Sequence, residues 1–137
     1  RRTSVPVLGI CLGMQLMCRS SEEGTEPGLG FLNASVRRFS FEASSKLKVP
    51  HMGWNEVAVH QGNTLLGDKT PPWSRYYFVH SYYVSCEDSH DVIGTTRFGI
   101  DFVSAFKSRN LVGVQFHPEK SHRFGMQLFR NFVKSLA

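Results

Sequence analysis

One stretch, Val5-Pro6-Val7-Leu8-Gly9-Ile10-Cys11-Leu12-Gly13-Met14-Gln15-Leu16, constrains the fold more than any other. The apolar run from Val5 to Ile10 reads as a short buried strand. It breaks at Gly9-Ile10-Cys11-Leu12-Gly13, and helix-compatible residues follow from Leu12 to about Ser20, with Leu12 and Leu16 on one face. A strand that turns straight into a helix through Gly-x-Cys-x-Gly has the pattern of a nucleophile elbow, with the central side chain held at the tip of a strained turn. Glycines on either side are expected to remove side chains that would clash in so tight a turn. The helix N-terminus would point at the sulfur and favour thiolate over thiol. The N–H of Leu12, free at the helix start, can donate to an oxyanion. The competing reading makes Cys11 a small buried hydrophobe; the two glycines and the far end of the chain weigh against it.

That far end is Leu111-Val112-Gly113-Val114-Gln115-Phe116-His117-Pro118-Glu119-Lys120-Ser121. Leu111 to Phe116 again reads as a strand. His117 and Glu119 are two apart, so in an extended segment they share a face. Pro118 disfavours helix at His117 and is expected to keep the pair extended. Of the six histidines, His117 is the one with an orienting carboxylate supplied locally. His80 is followed by Ser81 and Tyr82, His51 precedes Met52-Gly53, and His60, His90 and His122 lie in polar stretches. A cysteine nucleophile, a histidine base and a carboxylate that orients it form a complete relay, Cys11, His117 and Glu119.

With these residues in place, the chain resembles a class I glutamine amidotransferase domain of the Cys-His-Glu type. Two intervening motifs, Lys48-Val49-Pro50-His51-Met52-Gly53-Trp54-Asn55 and Tyr77-Phe78-Val79-His80-Ser81-Tyr82, narrow the resemblance to the glutaminase subunits of imidazole glycerol phosphate synthases. The resemblance implies an α/β fold with a mostly parallel central sheet and helices on both faces. It also implies an N-terminally incomplete domain over residues 1–137: the family carries further strands, and a glycine-bearing loop with a second oxyanion donor, before the nucleophile strand. An isolated chain lacking them is expected to be poorly soluble or loosely packed, with glutamine turnover near background.

In the chemistry implied, the Cys11 thiolate attacks the carboxamide of L-glutamine, His117 protonates the leaving ammonia, and water hydrolyses the γ-glutamyl thioester. By resemblance Leu12, Gln15, His80, Ser81 and Tyr82 hold the substrate. The resemblance further implies that the ammonia passes to a synthase (cyclase) subunit that makes imidazole glycerol phosphate in histidine biosynthesis, and that Trp54, Asn55, Tyr77 and Lys120 form the interface of a cytoplasmic heterodimer. No cofactor is implied. Without the resemblance, Gln15 reads as a solvated helix residue, Tyr82 as a core aromatic and Trp54 as packed on its own domain. An equivalent ammonia-supplying subunit of a surface-sugar amidating synthetase fits the same residues, because acceptor chemistry lies in the partner. A cysteine hydrolase of related fold and an inactive fragment are the other readings.

Composition sets the outer bounds. The 137 residues suit one domain, and 41% hydrophobic with 20% charged residues is globular. The net charge of +5 is scattered, with Arg1-Arg2 and Arg37-Arg38 as adjacent pairs, so no nucleic-acid stripe is indicated. No window of about 18 apolar residues suggests a membrane span. Cys11, Cys18 and Cys86 do not make a disulfide framework, and no Cys-x-x-Cys or His-x-x-x-His spacing suggests a metal.

Between the two motif regions the pattern predicts a loop over 21–30, a strand-like segment over 31–39, and a polar connector over 41–48. It predicts a loop over 49–55 carrying an exposed Trp54, a strand over 56–59 and a loop over 61–73. A single strong strand is read over 75–85 and two more over 91–97 and 103–107. Residues 124–136 read as an amphipathic helix through Phe124, Leu128, Phe129, Phe132, Val133 and Leu136, with Ser121 as its N-cap.

Overall fold

A computed structural model describes residues 5–60, 64–66 and 73–136. Its nine described strands are β1 (Val7–Ile10), β2 (Ser20–Ser21), β3 (Ala34–Arg38), β4 (His51–Val59), β5 (Trp73–His80), β6 (Tyr82–Cys86), β7 (Val92–Phe98), β8 (Ile100–Ser108) and β9 (Leu111–Val114). Two helices, α1 (Leu12–Leu16) and α2 (His122–Lys134), and 3-10 turns at Ser89–Asp91 and Pro118–Lys120 complete them. The loop expected over 61–73 lies largely outside the described residues.

The strands form one mixed sheet in the order β2-β3-β6-β8-β7-β4-β5, with β9 on the C-terminal half of β8 and β1 on β9. The pairs β1–β9 and β2–β3 are parallel. The other pairs are antiparallel, so the described sheet is mixed, not mostly parallel as the resemblance implies. The physical reason is the short connections: β7 and β8 are joined at Gly99 (φ 75°), and a tight turn can only return the chain antiparallel.

Alternation along β9 separates the two sides of the sheet. Val112 and Val114, with Phe116 beyond the strand, join Leu128 of α2 and the aromatic core of Tyr76, Phe78 and Phe102. Leu111 faces the other cluster, in which Met14, Met17 and Cys18 from α1 and its end pack on Val36, Val84 and Phe106. A Cβ on Gly113 would come within 2.7 Å of Met14 Cγ, which puts α1 on that side. Helices therefore cover both faces, and the α/β class expected from the sequence holds.

Several expectations need correction. Residues 51–55 are not a loop: His51 to Val59 is one strand, paired along its length with β5. The strand expected over 75–85 is two, broken at Ser81. On one side of the break β5 pairs with β4, and on the other β6 pairs with β3 and β8. Composition cannot show such a break, because both halves are equally rich in aromatic and β-branched residues. In α2, Leu128 is buried and Phe124 and Phe132 pack on the core, whereas Val133 and Leu136 are exposed near its end.

Candidate active site

Cys11 follows β1 directly and has φ 53° and ψ −108°, a conformation that L-residues occupy at a cost of about 1–3 kcal/mol. The surrounding bonds hold it there. Its N–H donates to Val114 O at 2.8 Å, and its C=O accepts from the Gln15 N–H at 3.2 Å. The glycine requirement is asymmetric. A Cβ on Gly9 would lie 2.9 Å from the backbone of Gly13, whereas a Cβ on Gly13 would meet nothing within 4 Å. Close approach of strand and helix therefore demands the first glycine, not both.

The thiol environment also differs from the expectation. Burial pushes the Cys11 thiol up from its ordinary value. The Leu12 N–H and the Gln115 side chain pull it down by less, and the Glu119 and Glu23 carboxylates push it further up. Burial outweighs these two donors, and α1, five residues long, adds little more than one turn of aligned peptides to favour the anion. Among the described residues, Cys11 Sγ hydrogen-bonds the amide Nε2 of Gln115 at 3.6 Å and Val79 O at 4.0 Å, not His117.

His117 enters from β9. It is extended (φ −102°, ψ 96°), as Pro118 requires, but the chain then closes into the 3-10 turn Pro118–Lys120. Glu119 thus reaches His117 by a turn and not by strand alternation: the ring Nδ1 lies 3.2 Å from Glu119 Oε2. The His117 backbone is pinned as well. Its N–H donates to Tyr77 O at 2.9 Å, and its C=O accepts from the Ser121 hydroxyl at 2.6 Å and the Lys120 N–H at 3.0 Å. Ser121 makes no side-chain cap to α2, because its Oγ is engaged by His117 O and by the Tyr77 N–H at 3.0 Å.

Behind the cysteine runs a polar chain that sequence reasoning caught only in part. His80 Nδ1 lies 2.8 Å from Tyr82 O, which can only accept, so Nδ1 carries the proton. His80 Nε2 is then the acceptor, and His51 Nδ1 donates to it at 2.9 Å. His51 Nε2 in turn accepts from Asn55 Nδ2 at 3.1 Å. Both rings are buried among aromatics; His51 stacks on Phe98 at 4.3 Å. Burial lowers both pKa values to about 4, so the pair is neutral at physiological pH. On the other side of Tyr82 O, Gln15 Nε2 donates to it at 3.1 Å and to Gln115 Oε1 at 3.0 Å. His51 and Gln115 were missed. His51 fell in an expected loop. Gln115 carried one signal, its position two residues before His117 on the same strand face.

The interface candidates lie on β4, on the edge strand β5 and on the turn Pro118–Lys120. Trp54 is partly exposed on β4, stacked on His122 at 5.6 Å and edge-on to Tyr77 at 6.3 Å. The Lys120 ammonium lies 6.0 Å from the Tyr77 ring. Asn55 points inward, its Nδ2 also donating to Arg97 O at 3.0 Å. Ser81 sits at the strand break, its C=O accepting from the Phe39 N–H at 3.1 Å. Among the described residues no group of three or more His, Cys, Asp or Glu could hold a metal, and no helix is long and apolar enough to cross a membrane.

Comparison with known proteins places this geometry in a family. The chain is 54% identical over 129 residues to imidazole glycerol phosphate synthase subunit HisH 2 of Methanococcus maripaludis, covering 94% of this chain and 62% of that protein. It is 49% identical over 132 residues to subunit HisH of Leptospira borgpetersenii, covering 94% and 63%. The chain thus spans a little under two thirds of the length of these relatives. Among solved structures, a protein described as a GMP synthase subunit from Thermoplasma acidophilum superposes with a TM-score of 0.68 at 25% identity, over 97% of this chain and 58% of that one. A glutamine amidotransferase from Thermotoga maritima shares the fold with a TM-score of 0.60 at 22% identity, over 98% and 50%. Residues 1–136 match the family described as glutamine amidotransferase class-I, and the chain belongs to that family.

Proposed function

We propose that this chain provides the glutaminase chemistry of an imidazole glycerol phosphate synthase. It would hydrolyse L-glutamine through Cys11 and deliver the ammonia to a cyclase subunit, as half of a cytoplasmic heterodimer in histidine biosynthesis. The similarity to HisH subunits supports the pathway. The Glu119 contact supports the role of the base: with Nδ1–H directed at Glu119, the Nε2 lone pair of His117 is left for proton transfer.

Protons balance at each step. His117 Nε2 takes the Cys11 proton as sulfur attacks the carboxamide carbon. The Leu12 N–H stabilises the oxyanion, and His117 returns the proton to the leaving ammonia. Water then attacks the thioester as His117 accepts its proton; the bond to Cys11 sulfur breaks, His117 returns the proton to that sulfur, and glutamate is released. Contacts of this kind tighten in the substrate complex, so a resting Cys11 turned toward Val79 O is compatible with the role. Gln15 and the His80-Ser81-Tyr82 segment, already linked through Tyr82 O, would hold the substrate's amino-acid end. Trp54, Tyr77 and Lys120, with Asn55 behind them, would meet the cyclase.

The observation that carries the reading is Cys11 at φ 53°, fastened by its own N–H to Val114 O in the strand that leads into His117. In the complete gene product with its cyclase, Cys11→Ala is expected to abolish glutamine-dependent synthesis and leave synthesis from added ammonia intact. Retained glutamine hydrolysis in that variant would overturn the assignment.

A further inference from the structure

Gln115 is fully buried and polar, and it touches the sulfur of Cys11. Strand pairing places it there. Ile10 and Val114 are register partners in the parallel β1–β9 pair, so the next residue of each strand, Cys11 and Gln115, emerges side by side. The Cys11 N–H bonds Val114 O, and the Gln115 N–H bonds Ser104 O at 2.9 Å, so both backbones are fixed.

The neighbours decide which end of the Gln115 amide meets the sulfur. Tyr82 O can only accept, so the Gln15 atom facing it is the NH2 nitrogen. That same nitrogen donates to Gln115, which must therefore present its oxygen to Gln15 at 3.0 Å. The Gln115 NH2 group is left for Cys11 Sγ, at 3.6 Å. A flipped amide would set nitrogen against nitrogen at Gln15 and an oxygen against the sulfur, where it could accept from the thiol but would repel the thiolate.

We propose that Gln115 is a thiolate-stabilising residue, whose amide N–H donates to the Cys11 sulfur as its proton leaves and whose orientation is locked by Gln15 and Tyr82 O. This rests on the glutaminase reading of Cys11. The need is visible in the surroundings. Leu12 N–H and Gln115 favour the anion, and burial, Glu119 and Glu23 oppose it. Val79 O, as an acceptor, holds the thiol form. His117, the base that removes the proton, follows Gln115 by two residues.

Losing one hydrogen bond to a charged atom moves a pKa by about one to two units. The remaining thiolate becomes intrinsically more nucleophilic, so the net loss of reaction rate near neutral pH is roughly 3- to 10-fold.

The test is the pH dependence of iodoacetamide alkylation in the complete gene product, read by mass spectrometry on the Cys11 peptide so that Cys18 and Cys86 report separately. Gln115→Glu keeps the shape and the acceptor for Gln15 and replaces the donor with a carboxyl group. Gln115→Leu removes both contacts. The Cys11 inflection is expected to rise by about one unit or more in each, with the Cys18 and Cys86 profiles unmoved. The glutaminase rate should fall at neutral pH and recover in part at alkaline pH. An unmoved Cys11 inflection in Gln115→Glu overturns the proposal, and that variant decides alone if Gln115→Leu does not fold. Failure of the underlying glutaminase reading would look different: Cys11→Ala would retain glutamine hydrolysis, whatever the Gln115 variants did to the alkylation profile.

Discussion

Removing one hydroxyl, in Ser121→Ala, tests how His117 is held. Ser121 is fully buried. Its Oγ donates to His117 O at 2.6 Å and accepts from the Tyr77 N–H at 3.0 Å. The two losses are unequal. His117 O keeps the Lys120 N–H at 3.0 Å, whereas the Tyr77 N–H, turned away from β4, loses the acceptor that the structure gives it. An orphaned buried donor costs about 1–3 kcal/mol, so about 2 kcal/mol of stability should be lost. Urea unfolding should show this as a lower midpoint with an unchanged slope. The effect on rate follows from position. His117 would keep its N–H bond to Tyr77 O but lose one of two holds on its carbonyl, and a displacement approaching 1 Å can cost up to about 100-fold. We expect kcat for glutamine to fall about tenfold or more with KM nearly unchanged. A helix cap alone would also be worth about 0.5–2 kcal/mol, but its loss would leave kcat alone. A stability loss without any change in kcat would therefore refute the reasoning.

Two further outcomes follow from the buried chain and the partly exposed Trp54. His51 and His80 have folded-state pKa values near 4, below the ordinary 6.5, so between these values the unfolded chain binds more protons. Stability from this pair is complete above about pH 6.5 and is lost as pH falls toward 4, at about 1.4 kcal/mol per pH unit for each histidine that titrates. Urea midpoints measured from pH 7.5 to 4.5 should show the slope, and His51→Gln should flatten it; equal slopes in variant and parent would sink the idea. Trp54→Ala should weaken association with the cyclase by about 2 kcal/mol if the ring is an anchor, and an unchanged Kd in titration calorimetry would return Trp54 to its contacts with His122 and Tyr77.

Much of the site was legible in the sequence because its devices are local. A strand ending in Gly9-Ile10-Cys11 leaves little choice but a sharp turn, and Cys11 has the strained φ that such a turn imposes. His117 and Glu119 are two residues apart and do meet, although by a 3-10 turn, because Pro118 fits the first position of such a turn as readily as it fits an extended chain. The tertiary structure alone decided what depends on residues distant in the chain. The Cys11 thiol is raised because packed neighbours remove water from it, and desolvation is a property of the fold, not of a motif. Gly13 faces open space, and only the built turn could show that. His51 joins His80 because β4 and β5 align them in register across 29 residues of sequence. Gln115 meets Cys11 across 104 residues because a parallel pair brings two strand ends together, and register between distant strands is set by packing of the whole sheet.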